Sequence, residues 1–254
     1  MIGMDKIFEM FEPVSSTTII WRYMSLVNFI DLLKNRELYF SSVKNFLLND
    51  PWEGSFRNLI NNDALDINSK LSEEDLKIVR DILTERTYVN CWHINETDSD
   101  AMWKIYSKNK GVAITSFVKS LKQVLIESNE KFIVGKIKYE TIDKKEFILG
   151  NTYEPFFRKR KSFEHEREFR AIFWNHHTIL KEILFSSIDK HINIKLLNPT
   201  RFKKFKIDVN RLISKIYLHP QYKLSEVEII KDLIKKYEYE FDVEKSYLLS
   251  DPIF

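Results

Sequence analysis

The sequence predicts one α+β domain, a mixed or mostly antiparallel sheet with flanking helices. Three observations carry that prediction. Runs rich in β-branched and aromatic residues recur along the chain, among them Thr17 to Met24, Glu37 to Ser42, Tyr88 to His93 and Phe132 to Tyr139. Between them lie segments whose apolar residues repeat at helical spacing. No stretch rich in Pro, Gly or Ser divides the 254 residues, no internal repeat is present, and 44% hydrophobic with 14% aromatic content is ample for one large core.

Taken in order, Thr17 to Met24 is a strand and Ser25 a helix cap, followed by Leu26, Phe29, Ile30, Leu32 and Leu33 on one helical face. The helix runs out near Asn35 and Arg36, before the strand Glu37 to Ser42. Val43 to Gly54 contains Asn49-Asp50-Pro51, a turn sequence beside Trp52 and Glu53. Asn61 to Arg86 reads as helix, with Ser72 as cap and Glu73-Glu74-Asp75 as an acidic first turn. Tyr88 to His93 is a strand, Asn95 to Asp100 a polar cap, and Ala101 to Tyr106 a short helix stopped by Asn109-Lys110-Gly111. Val112 to Thr115 is a strand, Phe117 to Ser128 an amphipathic helix, and Phe132 to Tyr139 a half-buried strand. Glu154 to Lys161 leads into a strand from about Glu166 to Trp174, and residues 178 to 203 are weakly patterned. Phe205 to Val209 and Ile213 to Leu218 read as strands, Ser225 as the cap of a helix bearing Ile229, Ile230, Leu233 and Ile234, and Tyr239 to Lys245 as a last strand.

Composition removes several function classes. Lys plus Arg at 40 against Asp plus Glu at 37 leaves a net charge of only +3, too small a surplus to imply nucleic-acid binding by itself. The single cysteine, Cys91, excludes an internal disulfide and a multi-cysteine zinc site, fits a reducing, cytoplasmic setting, and is expected to be a small buried apolar residue. Met1 to Glu12 carries Asp5, Lys6 and Glu9 and so lacks the apolar run of a signal peptide, and no window has the length of a membrane span. Five glycines in the whole chain leave no Gly-rich phosphate loop.

The densest chemistry lies in Phe163 to Trp174. Extended from about Glu166, it puts Glu166, Glu168, Arg170 and Ile172 on one face. Carboxylates two apart on a strand repel unless a cation or metal lies between them, and Arg170 and the run Arg158-Lys159-Arg160-Lys161 supply cations. The ladder then either lines a cleft or forms a salt-bridged edge. Asn49, Asp50 and Glu53 form either an ordered turn or a polar site, and His176-His177 are read as loop histidines rather than metal ligands.

Arg22-Tyr23-Met24-Ser25, Leu38-Tyr39-Phe40-Ser41-Ser42, Asn49-Asp50-Pro51-Trp52-Glu53, Met102-Trp103-Lys104-Ile105-Tyr106 with Gly111, and Phe163-x-x-Glu166-x-Glu168-x-Arg170 occur in that order. Together they resemble a large bacterial family known mainly as a domain of unknown function. The order Arg22, then Ser41 or Ser42, then Glu166-x-Glu168 also resembles the ADP-ribosyltransferase superfamily. That second resemblance implies NAD as cofactor. Arg22 would hold a phosphate or ribose edge, and Trp103 or Tyr106 would stack on the nicotinamide. Glu168 would stabilise the oxocarbenium, and Glu166 would orient or deprotonate the acceptor. Tyr23, Ser41, Asn49, Asp50, Glu53 and Arg170 complete the expected binding set. It also implies a nucleotide-like ligand and a protein or nucleic-acid acceptor, while the resemblance to the uncharacterised bacterial family implies a setting in bacterial conflict or phage defence. Two other classes remain open. Asp50, Glu53, Glu166 and Glu168 beside Lys161 could hold Mg²⁺ in a nuclease, or the cleft could bind a nucleotide or partner without chemistry.

Overall fold

A computed structural model describes residues 7–54, 73–107, 110–141, 153–174, 200–250 and 252. Twelve strands, β1 (Ile7–Met10), β2 (Ile19–Met24), β3 (Glu37–Ser42), β4 (Thr87–Ile94), β5 (Val112–Phe117), β6 (Phe132–Lys136), β7 (Lys138–Glu140), β8 (Arg158–Arg160), β9 (Glu168–Trp174), β10 (Phe202–Lys206), β11 (Lys215–Leu218) and β12 (Val243–Lys245), occur among the described residues. Among the described residues the α-helices are α1 (Leu26–Asn35), α2 (Glu73–Arg86), α3 (Asp100–Tyr106), α4 (Val118–Glu127), α5 (Val209–Leu212) and α6 (Leu224–Lys236). Ten strands form one sheet in the order β1-β6-β9-β4-β2-β5-β11-β12, with β3 on β4 and β10 on β3. Only β1 with β6 and β11 with β12 run parallel in it, so the expected mixed, mostly antiparallel α+β sheet is what forms.

The sheet forks at β4. One edge of this strand pairs continuously with β9, from Thr87 opposite Trp174 to His93 opposite Glu168. The other edge is shared: Tyr88 and Val89 pair with Ser42 and Ser41 of β3, whereas His93 and Ile94 pair with Trp21 and Ile20 of β2. Among the described residues, no strand faces Asn90, Cys91 and Trp92 on that edge. A gap therefore opens in the middle of the sheet, bounded by β2, β3 and β4.

Two apolar layers hold the fork in place. On one face Phe29, Leu32 and Leu33 of α1 pack with Ile20, Trp92, Phe132, Phe169 and the apolar residues of α4 and α6. Ser25 caps α1 by accepting the Asn28 N–H at 3.2 Å, as expected from the sequence. On the opposite face Met102 and Trp103 of α3 cover Trp21 and Tyr23, with Ser99 as cap, and a second cluster of Val43, Leu83, Val89, Phe156, Phe157 and Ile172 lies further along β4 and β9. Gly111 is required where α3 returns to β5, because a Cβ there would lie 2.3 Å from the Met24 carbonyl oxygen.

Several expected boundaries move. The run from Phe132 breaks at Ile137 into β6 and β7, and β7 leaves the large sheet to pair with β8. Phe205 to Val209 is not one strand. β10 ends at Lys206, and Asp208 accepts the Asn210 and Arg211 N–H groups to start α5. The last strand is confined to Val243–Lys245, α6 is capped at Lys223 rather than Ser225, and Ile7–Met10 forms a strand that no periodicity announced. Ser72, Asn109, His176, His177 and residues 178–199 lie outside the described residues. No helix among the described residues is long and apolar enough to cross a membrane.

Candidate functional site

A cavity of about 670 Å³ occupies the fork. That volume falls within the usual range of small-molecule and cofactor sites, roughly 300 to 1,000 Å³. Trp21, Tyr23, Cys91, His93, Glu168 and Arg170 line it from one face of the sheet, while Arg22, Met24, Trp92 and α1 residues Asn28, Asp31 and Leu32 line it from the other. The registers explain this division. Trp21 opposite His93 and His93 opposite Glu168 share a face, so Arg22, next along β2, points to the reverse face. Arg22 and Glu168 thus share one cavity only because it passes through the sheet.

The acidic end is a buried ionic network. Arg170 donates from Nε and Nη2 to the two carboxylate oxygens of Glu168, both at 2.9 Å, and from Nη1 to Glu53 at 2.6 Å and to the Phe156 carbonyl at 2.6 Å. Lys159 pairs with Glu166 and stands 3.7 Å from Glu168 and 3.9 Å from Glu53. Tyr106 donates its hydroxyl to the second oxygen of Glu166 at 3.1 Å. Burial alone would raise the Glu168 pKa, but Arg170 and Lys159 outweigh it and hold the carboxyl at about 2. Burial pushes the Tyr106 hydroxyl up, and the neighbouring carboxylates push it further, so it stays a donor.

The strand carrying this ladder starts two residues later than the sequence implies. Lys161–Glu166 forms a 3-10 turn, and Arg167 takes a left-handed conformation at φ 40 before β9 begins at Glu168. Glu166 therefore enters the cavity from a turn, not from the strand face. Its position still converges on Glu168 because Lys159 on β8 attracts both.

The basic end is simpler. Arg22 donates from Nη2 to the Tyr39 carbonyl at 3.1 Å and lies over the Trp92 ring at 5.9 Å. Its Nη1 is buried with no hydrogen-bond partner, and no carboxylate among the described residues forms an ion pair with it. Burial lowers its pKa to about 10, which still leaves it charged at neutral pH. Asn90 donates to the same Tyr39 carbonyl at 2.9 Å, fixing β3 across the gap.

Of the residues expected from the sequence, Arg22, Tyr23, Ser41, Tyr106, Glu166, Glu168 and Arg170 line the cavity. Four expectations are corrected. Trp103 is buried beneath Tyr23, with its N–H on Asp98 at 3.0 Å and its ring 4.9 Å from that of Tyr23, so it supports the wall rather than stacking on a ligand. Asn49 is exposed on the turn and outside the lining. Asp50 organises that turn by accepting the Trp52 N–H at 3.1 Å and pairs with Arg160 at 2.8 Å. Glu53 lies behind Arg170, 2% exposed, as a support for that cation. Gly54, at φ 59, closes the turn against Phe156. Cys91 packs against the second apolar cluster, as a small apolar residue would, and is half-buried where it also reaches the cavity wall.

Sequence reasoning missed His93 and named Lys159 only as one of the cations in the run Arg158 to Lys161. Strand alternation could have singled out Lys159. Arg158 and Arg160 point away from it to Glu154 and Asp50, leaving Lys159 facing the acidic pair. His93 needed the β4–β9 register, which the sequence does not show. Among the described residues no group of three His, Cys, Asp or Glu side chains is arranged to hold a metal ion, because Lys159 and Arg170 stand between the carboxylates. Comparison with protein-family models, curated proteins and solved structures finds no match.

Proposed function

We propose that the chain binds an anionic dinucleotide of the NAD class in the fork and cleaves its nicotinamide–ribose bond, transferring ADP-ribose to an acceptor. The observation carrying this reading is that one cavity joins an unpaired guanidinium, Arg22, to the carboxylates of Glu166 and Glu168. An anion on Arg22 satisfies a buried donor that has no protein partner. Breaking the glycosidic bond leaves positive charge on the ribose carbon, and Glu168, locked in the Arg170 fork, offers a fixed negative charge without having to reorganise. Each Glu166 oxygen has one protein donor, Tyr106 or Lys159, so lone pairs remain to orient a ligand hydroxyl. Trp92, Tyr39 and Tyr106 supply aromatic surface along the path. Such chemistry consumes NAD or marks a macromolecule, which fits the defence setting that the family resemblance implies.

Calorimetric titration of NAD together with an assay for released nicotinamide tests the reading. Wild type is expected to bind and release, and Arg22→Gln to lose at least tenfold in affinity. No binding to wild type overturns it. One observation favours a second reading: both oxygens of Glu168 are engaged by Arg170 in a bidentate bond, as in a purely structural pair. A nucleotide-binding module without chemistry predicts NAD binding with no nicotinamide release. The Mg²⁺ nuclease predicts a heat of binding with Mg²⁺ alone, disfavoured by the two cations that occupy the space between the carboxylates.

A further inference from the structure

One side chain on the cavity wall has no part in that scheme. His93 is 4% exposed, lies on β4 directly across from Glu168 on β9 and Trp21 on β2, and lines the cavity. Its Nδ1 is 2.7 Å from the carbonyl oxygen of Glu166. A carbonyl only accepts, so Nδ1 carries the proton and Nε2 presents a lone pair. Nε2 is buried and has no hydrogen-bond partner among the described residues. A buried acceptor without a donor is destabilising, and a bound hydroxyl would relieve it.

The groups facing the ring are consistent with a neutral imidazole. Tyr23 of β2 stands edge-on at 6.3 Å, Glu168 is its neighbour on β9, and the turn before β9 contributes His165, Glu166 and Arg167. Burial lowers the pKa of His93 most. The bond to Glu166 opposes this, and the Arg167 charge adds to it, so the net direction is below the ordinary 6.5.

We propose that His93 Nε2 is the base that accepts a proton from a hydroxyl nucleophile, so that the acceptor is an alcohol or water. This rests on the transferase reading above. In the step, the bond from ribose carbon to nicotinamide nitrogen breaks and its electron pair leaves with nicotinamide. The acceptor oxygen forms the new bond to that carbon. Its proton passes to Nε2 and then to solvent. A carboxylate acceptor has no proton to give, and an ammonium or guanidinium would keep its proton against so weak a base. Glu166, already shared by Lys159 and Tyr106, positions the hydroxyl, and its own backbone carbonyl fixes the histidine tautomer.

The test compares wild type with His93→Asn, whose amide N–H can keep the bond to the Glu166 carbonyl while removing the base. NAD binding and nicotinamide release are followed from about pH 5 to about pH 8. Removal of a general base is expected to lower release by about 10² to 10⁴ with NAD affinity changed less than about twofold, and to abolish the fall in rate toward acid expected of wild type. Nitrogen-15 NMR of the histidines is expected to show His93 as the neutral Nδ1–H tautomer, with Nε2 shifting when NAD is added. If the variant matches wild type in rate and pH profile, or if His93 carries its proton on Nε2, the assignment of His93 fails while the transferase reading stands. If wild type binds no NAD, the transferase reading fails and the assignment falls with it.

Discussion

Glu168 and Arg170 form a buried pair on which the fold depends and to which the proposed chemistry assigns a fixed charge. Both are buried, and the bidentate bond between them leaves neither charge free inside the sheet. Removing one partner of a buried pair typically costs about 3–5 kcal/mol, since the survivor stays desolvated. Glu168→Gln is therefore expected to lower the thermal midpoint by about 10 °C as well as activity, read by calorimetry on the variant. An unchanged midpoint would mean that the pair is solvated in solution. The pH dependence follows with a defined sign. With Glu168 held at about 2 against an ordinary 4.5, its contribution is complete above pH 4.5 and is lost as pH falls through 2. The span corresponds to roughly 3 kcal/mol. Urea titrations at intervals through this window should show wild type losing that stability, and Glu168→Gln should show a flatter profile there.

At the scale of elements, the connections matter more than the regular structure. With five glycines, the chain places Phe11, Arg36, Lys110, Asn129, Arg167 and Glu238 in left-handed conformations that glycine usually fills. Gly111 is where substitution is not tolerated. Its added Cβ would meet the Met24 carbonyl at 2.3 Å and the Ser107 carbonyl at 2.7 Å, and backbone cannot step aside as a side chain does. Gly111→Ala is expected to cost about 3 kcal/mol in a denaturation measurement, the upper range for overpacking. It should also weaken NAD binding, because the displaced element is the end of β2 that carries Arg22. A loss below about 0.5 kcal/mol would show that β2 and the α3–β5 turn are not in close contact.

At the scale of the molecule, the fork makes the sheet itself the candidate binding site, with α1 closing one face and α3 the other. A ligand lodged there bridges β2, β3, β4 and β9, so binding should stabilise the whole fold rather than one loop. At a hundredfold excess over its Kd, NAD is expected to add about 2.7 kcal/mol, which for a chain of this size raises the midpoint by roughly 5–10 °C. The shift should vanish in Arg22→Gln, and a wild-type midpoint indifferent to NAD would count against the reading. Much of this was legible in the residues. Alternation and helical spacing located β2, α1, β3, β4, α3, α4 and α6 because those elements bury one face each, and burial writes itself into the local pattern. β1, four residues long, is too short to show a period, and β12, three residues long, lies within the expected strand Tyr239 to Lys245 but is shorter than it. The sequence by itself determined the α+β class and the acidic and basic residues available, since these depend on local periodicity and side-chain chemistry. Only the tertiary structure decided that Trp103 and Asp50 serve the scaffold, that Lys159 and His93 join the site, and that Arg22 meets Glu168 through a gap in the sheet. Those outcomes depend on register between strands distant in sequence, and a shift of one residue would turn each side chain to the other face.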